Sequence, residues 1–279
     1  AYIASTISGL QIVDVSDPNA MSLVGGISSL YISYVVDVQG NYAYVADYSR
    51  GLRIINISDP VNPILVSTTD TPGECRGVAV SGNYAYVADG SLGLQVIDVS
   101  SPTVPYIVGS LDLLGYAHNA KVCNGLVYVL SQSAGLHIID ASNPLDPTLL
   151  RRVNTPGSAH DVVFSENYAY VADVSQGLQI VDISDPSIAS IVGSLNDLTH
   201  AYTLDILGDI VYLTDREYGI HLLNVSSHSD PIVVGSIETG YIQDVFVAED
   251  YVYAVTSTGF LSIQQDCGIA LTADFVSDV

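Results

Sequence analysis

The chain of 279 residues carries 30 acidic side chains against 7 basic ones, a net charge of −23. That field repels phosphate backbones and anionic lipid, so neither nucleic acid nor a membrane surface is expected as a partner. Although 48% of the residues are hydrophobic, no apolar run approaches the roughly 18 residues of a membrane span, so no membrane insertion is expected and the apolar residues fill a core.

From Ala1 the chain opens directly on an apolar run, and a pattern then recurs to the end. A glycine followed by an apolar residue stands at Gly9, Gly51, Gly93, Gly135, Gly177, Gly219 and Gly259, spaced by 42 residues five times and then by 40. Seven residues before the first six lie Tyr2, Tyr44, Tyr86, Tyr128, Tyr170 and Tyr212, and Tyr253 is one residue closer to its glycine. One unit resolves into four strands: a over Gly77–Ser81, b over Tyr84–Ala88, c over Leu94–Val99 and d over Tyr106–Leu111. The Ser81-Gly82-Asn83 turn between a and b supplies residues that tolerate positive φ, and Ser100-Ser101-Pro102 separates c from d. No stretch of ten residues has helical periodicity.

Four short antiparallel strands in each repeat predict an all-β fold, a seven-bladed β-propeller of four-stranded blades forming one domain over residues 1–279. Each blade is then sandwiched between two others, so both faces of its strands are apolar. In YAYVAD, Tyr44 and Ala46 face one neighbour while Ala43 and Val45 face the other. The ten residues GLQIVDVSDP (Gly9–Pro18), with GLRIINISDP, GLQVIDVSSP, GLHIIDASNP and GLQIVDISDP further on, are similar to the LVIVD repeat family. The resemblance covers nearly the whole chain and weakens after Gly219. It implies a β-propeller and, commonly, a secreted or cell-surface prokaryotic protein. It implies no established reaction and brings no catalytic residues.

Strands b and c have seven copies each, but strand a has only six, beginning near Val35, Gly77, Asn119, Asp161, Thr203 and Asp244. Ile269–Asp274 is expected as strand d of the last blade, and Ser277-Asp278-Val279 resembles the opening of a further strand a. Two readings of the deficit stand. The chain is a fragment of a longer one that closes its own ring, or the gap accepts a strand from a neighbouring subunit in a homo-oligomer.

In this topology the d–a and b–c loops share one face, and strand a lines the central channel. The residues entering strand a are Tyr34, Arg76, His118, His160, Tyr202 and Gln243, followed by Val35, Gly77, Asn119, Asp161, Thr203 and Asp244. This polar column at the channel mouth is the candidate ligand-binding site, with Tyr34, Arg76, His118, His160, Asp161, Tyr202, Gln243 and Asp244 as its members; a wet channel mouth is the competing reading. His118, His160 and Asp161 carry metal-ligand chemistry, but no third histidine is in register, and no metal or other cofactor is expected.

On the opposite face Asp14, Asp98, Asp140 and Asp182 end strand c, with Asn56 and Asn224 in register, and Asp17, Asp59 and Asp185 follow ahead of prolines. These read as side-chain-capped turns, without the alternating ladder of a calcium loop. Aspartate outnumbers glutamate 25 to 5 in the chain, so much of the acidity is structural. Asn56-Ile57-Ser58 and Asn224-Val225-Ser226 match the glycosylation pattern, against the plainer exchange of one turn-former for another. Cys75, Cys123 and Cys267 are odd in number and too far apart in register to pair, so all three are expected to be free thiols. No nucleophile elbow, zinc helix or phosphate loop is present.

The leading expectation is therefore a non-enzymatic extracellular or cell-surface scaffold or adhesion module that binds a protein or a glycan through its loop face. A self-assembling filament or surface-layer subunit is the first alternative. A hydrolase or lyase at the channel mouth, dependent on His118 and His160, is the second.

Overall fold

The computed structural model describes residues 1–248, 250–256, 259–264 and 272–277. They form an all-β fold, a seven-bladed β-propeller: one three-stranded sheet followed by six four-stranded ones, every neighbouring pair of strands being consecutive in sequence. The first sheet consists of Tyr2–Ser5, Gly9–Asp14 and Ser22–Ile27 and has no inner strand a. The third blade matches expectation almost residue for residue, with Gly77–Ser81, Tyr84–Ala88, Leu94–Asp98 and Tyr106–Leu111. Asp98 ends strand c because its side chain caps the next turn, accepting a hydrogen bond from Ser100 N at 2.9 Å. The same cap recurs at Asn56, Asp140, Asp182 and Asn224, and Asp17, Asp59 and Asp185 repeat it three residues on.

Two kinds of strand boundary depart from the sequence reading. Inner strands of the later blades start two residues earlier, as Ala117–Cys123, Ala159–Ser165 and Ala201–Leu207, and the last runs over Ile242–Ala248. Each begins with a β-bulge, which hides from a strict period-2 reading because one strand carries an extra residue. The outer strand of the seventh blade is Thr272–Ser277, not Ile269–Asp274. Ser277 pairs with Gly259 inside that blade rather than opening a further strand a; Asp278 and Val279 lie outside the described residues.

The chain divides into two compact units, Ala1–Asp14 with Ser22–Arg152, and Val15–Met21 with Val153–Val279. In each, the core is a series of seams between successive blades. In the first unit Tyr44, Ala46, Leu52 and Ile54 of the second blade pack on Val78, Ala85, Val87 and Ile97 of the third. Ala43, Val45 and Ile55, on the opposite face, pack on Leu10 and Ile12 of the first. The second unit repeats this, with Tyr170, Ala172, Leu178 and Ile180 packed on Leu204, Val211 and Leu213. This burial of both faces is what permits an uninterrupted apolar strand in so acidic a chain.

Two glycines show why the repeat conserves its spacing. Gly93, which opens strand c, has φ +69°, and a Cβ there would strike the backbone oxygen of Leu111. Gly109 lies in an outer strand where a Cβ would meet the Pro144 carbonyl of the following blade. At the equivalent place in the second blade, Ser67 Oγ instead donates to the Pro102 carbonyl at 2.6 Å. Cys75 is a buried free thiol and Cys123 a half-buried one; Cys267 lies outside the described residues.

Candidate functional site

The loop face is built by backbone pairing before any side chain is placed. The b–c loop of one blade bridges the segment entering strand a of the next: Tyr48 and Cys75 exchange N–H···O bonds, both at 3.0 Å, and Gly90 and Ala117 do the same at 3.2 and 2.9 Å. In three blades a buried carboxylate then docks the crossing loop. Asp47 Oδ1 accepts from Tyr31 N and Ile32 N at 2.8 and 2.9 Å, Asp89 from Thr71 Oγ1 and Gly73 N, and Asp173 from Gly157 N. Burial raises the carboxyl pKa of Asp89 above its ordinary value, against the bonds from Thr71 and Gly73. Where the fourth blade has Ser131 in place of aspartate, polarity reverses and its hydroxyl donates to Leu114 O at 3.0 Å.

On this frame the residues predicted to line the mouth take different roles. Within the first unit, Tyr34 and Arg76 come together, the guanidinium carbon lying 4.6 Å from the ring centroid. Tyr48 and Tyr116 complete the enclosure at 4.8 and 5.4 Å. Arg76 donates from Nη2 to Glu74 Oε2 at 2.9 Å and from Nε to the Tyr116 hydroxyl at 3.0 Å. Tyr116 donates in turn to Glu74 Oε2, and Tyr48 to Glu74 Oε1 at 2.7 Å. The bonds from Tyr116, Tyr48 and Arg76 hold the Glu74 carboxyl down at about 2, while burial and the bond to Glu74 push the Tyr116 phenol up to about 12. Beside this cluster Tyr31 stacks on Tyr48, with Arg50 5.4 Å from the Tyr31 ring. His118 occupies the bulge of the fourth blade and is half-buried.

Within the second unit, His160 and Tyr202 come together, with ring centroids 3.9 Å apart and His160 Nδ1 2.9 Å from the Tyr202 carbonyl. Arg216, from the b–c loop, lies over the Tyr202 ring at 3.0 Å and 5.4 Å from that of Tyr241. Asp161 is buried and ties two inner strands together, accepting from Leu204 N at 3.4 Å. Asp37 and Asp205 form the equivalent ties to Val80 N and Val247 N, both at 2.7 Å. Gln243 is exposed, and exposed Asp244 accepts from Val245 N at 2.9 Å. Among the described residues no three His, Cys, Asp or Glu side chains converge as a metal site. Asn56 and Asn224 are half-buried turn caps.

The polar column thus divides into two tyrosine–arginine clusters, and several of their members lay outside the predicted set. The signal for them was present. Tyr48 and Arg216 share one register position, as do Glu74, Tyr116, His200 and Tyr241, and the aspartate closing YVAD recurs at 47, 89, 173 and 215.

The same architecture occurs in solved structures of low sequence identity. The computationally designed Ika8 protein matches at 9% identity with a TM-score of 0.71, covering 97% of this chain and 83% of its own. A functionally unknown protein from Desulfotomaculum acetoxidans DSM 771 matches at 12% identity with a TM-score of 0.76, covering 94% and 91%. At such identities the likeness is one of fold. No curated protein is detectably similar in sequence. The LVIVD repeat matches five times, over residues 1–28, 33–71, 72–112, 114–155 and 156–197. Blade count, repeat length and these five matches agree: the chain belongs to the LVIVD repeat family.

Proposed function

We propose that this chain is a non-enzymatic extracellular scaffold or adhesion module that binds a protein or a glycan through its loop face. The observation that carries the reading is where the cations sit. Only seven lysines and arginines are present; Arg50 and Arg76 lie against tyrosine rings on the loops of the first unit, and Arg216 against rings on the loops of the second. Tyrosine and arginine dominate binding hot spots because they offer large, rigid contact area with a polar tip. Tyr31, Tyr218 and Tyr241 remain 50%, 60% and 41% exposed there. The acidic surface and the two glycosylation patterns support the extracellular placement. A screen against glycans and cell-wall material is expected to return ligands whose affinity falls when Tyr31 or Tyr218 is replaced by alanine; an empty screen removes the reading.

A second reading, self-assembly into a filament or surface layer, is supported by the outer strands. Ile64, Tyr106, Leu149 and Ile232 are exposed along them, and edge strands of that kind recruit other chains. Sedimentation over a concentration series that detects monomer alone removes it.

A further inference from the structure

Arg216 is a cation of the loop face that the fold leaves incompletely satisfied. Its Nε is buried without a hydrogen-bond partner, a condition that folded proteins rarely tolerate without a reason. It makes no ion pair with any described carboxylate, in a chain with 30 acidic residues. The two nearest in sequence are engaged elsewhere. Asp215 Oδ1 accepts from Glu217 N and Tyr218 N at 2.8 and 3.2 Å, and Glu217 Oε1 lies 3.7 Å from His200 Nε2. Four repeats upstream, the arginine of the first cluster has a carboxylate, Glu74; the position equivalent to Glu74 in the second cluster is Tyr241.

We propose that Arg216, Tyr202 and Tyr241 form a carboxylate-binding subsite for an acidic polysaccharide, with Arg216 taking the uronate carboxylate at contact range, where a Debye length of about 8 Å at physiological salt screens the repulsion from the rest of the chain. The inference deepens the binding reading above and rests on it. A guanidinium offers a fork of donors that matches a carboxylate bidentately. Tyr202, packed by both His160 and Arg216, holds the guanidinium plane in place. Tyr241 and, two residues beyond Arg216, Tyr218 present exposed rings to the C–H face of a sugar. A uronate joins one carboxylate to one such face, which fits a single cation flanked by rings; an acidic peptide brings the carboxylate without the face.

The test measures binding of the whole chain to polygalacturonate, to the same polymer after carboxyl reduction to neutral galactan, and to polyglutamate. Wild type is expected to bind polygalacturonate roughly tenfold or more tighter than the reduced polymer, the range of a charge-assisted hydrogen bond. Arg216→Gln loses that preference, and Arg216→Lys retains part of it. Tyr241→Glu, which supplies the counter-ion the first cluster already has, also abolishes it; melting curves confirm that each variant is folded. Equal binding of both galactan forms, or an unchanged Arg216→Gln, overturns the subsite while leaving the loop-face reading intact. Tighter binding to polyglutamate replaces the glycan by an acidic peptide. Absence of binding to these polymers and to all cell-wall material removes both readings.

Discussion

The second and sixth blades apply one design to different charge states. Tyr34, Asp47, Tyr48, Arg53, Glu74 and Arg76 correspond, four repeats on, to Tyr202, Asp215, Arg216, His221, Tyr241 and Gln243. Near the second blade each of those arginines meets a carboxylate, Arg53 with Asp47 at 3.1 Å and Arg76 with Glu74 at 2.9 Å. Near the sixth, the arginine has moved to the loop without a counter-ion among the described residues, and His221 lies 3.8 Å from Asp215, beyond hydrogen bonding. The comparison teaches that the backbone frame and the ring positions persist while the ionic state of the face is changed by a handful of residues.

The largest effect expected from this contrast is at the buried aspartates. Asp47→Ala leaves Arg53 buried and unpaired and removes two loop anchors, and should cost about 3–5 kcal/mol in urea denaturation. Asp215→Ala loses mainly backbone hydrogen bonds and should cost about 1–3 kcal/mol. Equal losses would break the comparison.

His137 of the fourth blade shares the register position of Arg53 and His221 and is fully buried. Burial, with a smaller contribution from Arg152, lowers its pKa from 6.5 to about 4. The unfolded chain therefore binds a proton that the folded one refuses. Stability should fall as the pH drops from about 6.5 to 4, by about 3 kcal/mol from this group, and change no further from it below 4. His137→Gln should flatten that part of the stability–pH curve.

A smaller effect separates the clusters themselves. Glu74→Gln strips the counter-ion from half-buried Arg76, and a loss of about 1 kcal/mol is expected, kept small by the exposure of the carboxylate. Arg216→Gln breaks no ion pair among the described residues and should stay within about 0.5 kcal/mol of wild type. A larger loss there would show that Arg216 is built into the fold rather than held for a ligand.

Most of the fold was legible in the sequence because the repeat enforces it. The Gly–Tyr register located strands b and c in every blade, since each repeat glycine opens or immediately precedes strand c and Tyr44, Tyr86, Tyr170 and Tyr212 fill the seams, while Tyr2 in the three-stranded first blade is exposed. The bulges at Ala117, Ala159, Ala201 and Ile242 were not legible, because an extra residue on one strand alters pairing without altering spacing. The site was half legible. Strand direction placed Tyr34, Arg76, His160 and Tyr202 on the loop face. The tie from Asp161 to the next inner strand was not legible, because it is set by three-dimensional neighbours. Glu74 and Arg216 escaped because they lie in loops outside the repeated strands, where partners come from adjacent blades.

The reciprocal backbone bonds between Tyr48 and Cys75, and between Gly90 and Ala117, have an evolutionary corollary. They use no side-chain atoms, so the loop termini are pinned whatever group each position displays. Such a face is a set of sockets into which cation, carboxylate or ring can be plugged independently, and a new specificity can be grafted one blade at a time without re-engineering the scaffold that carries it.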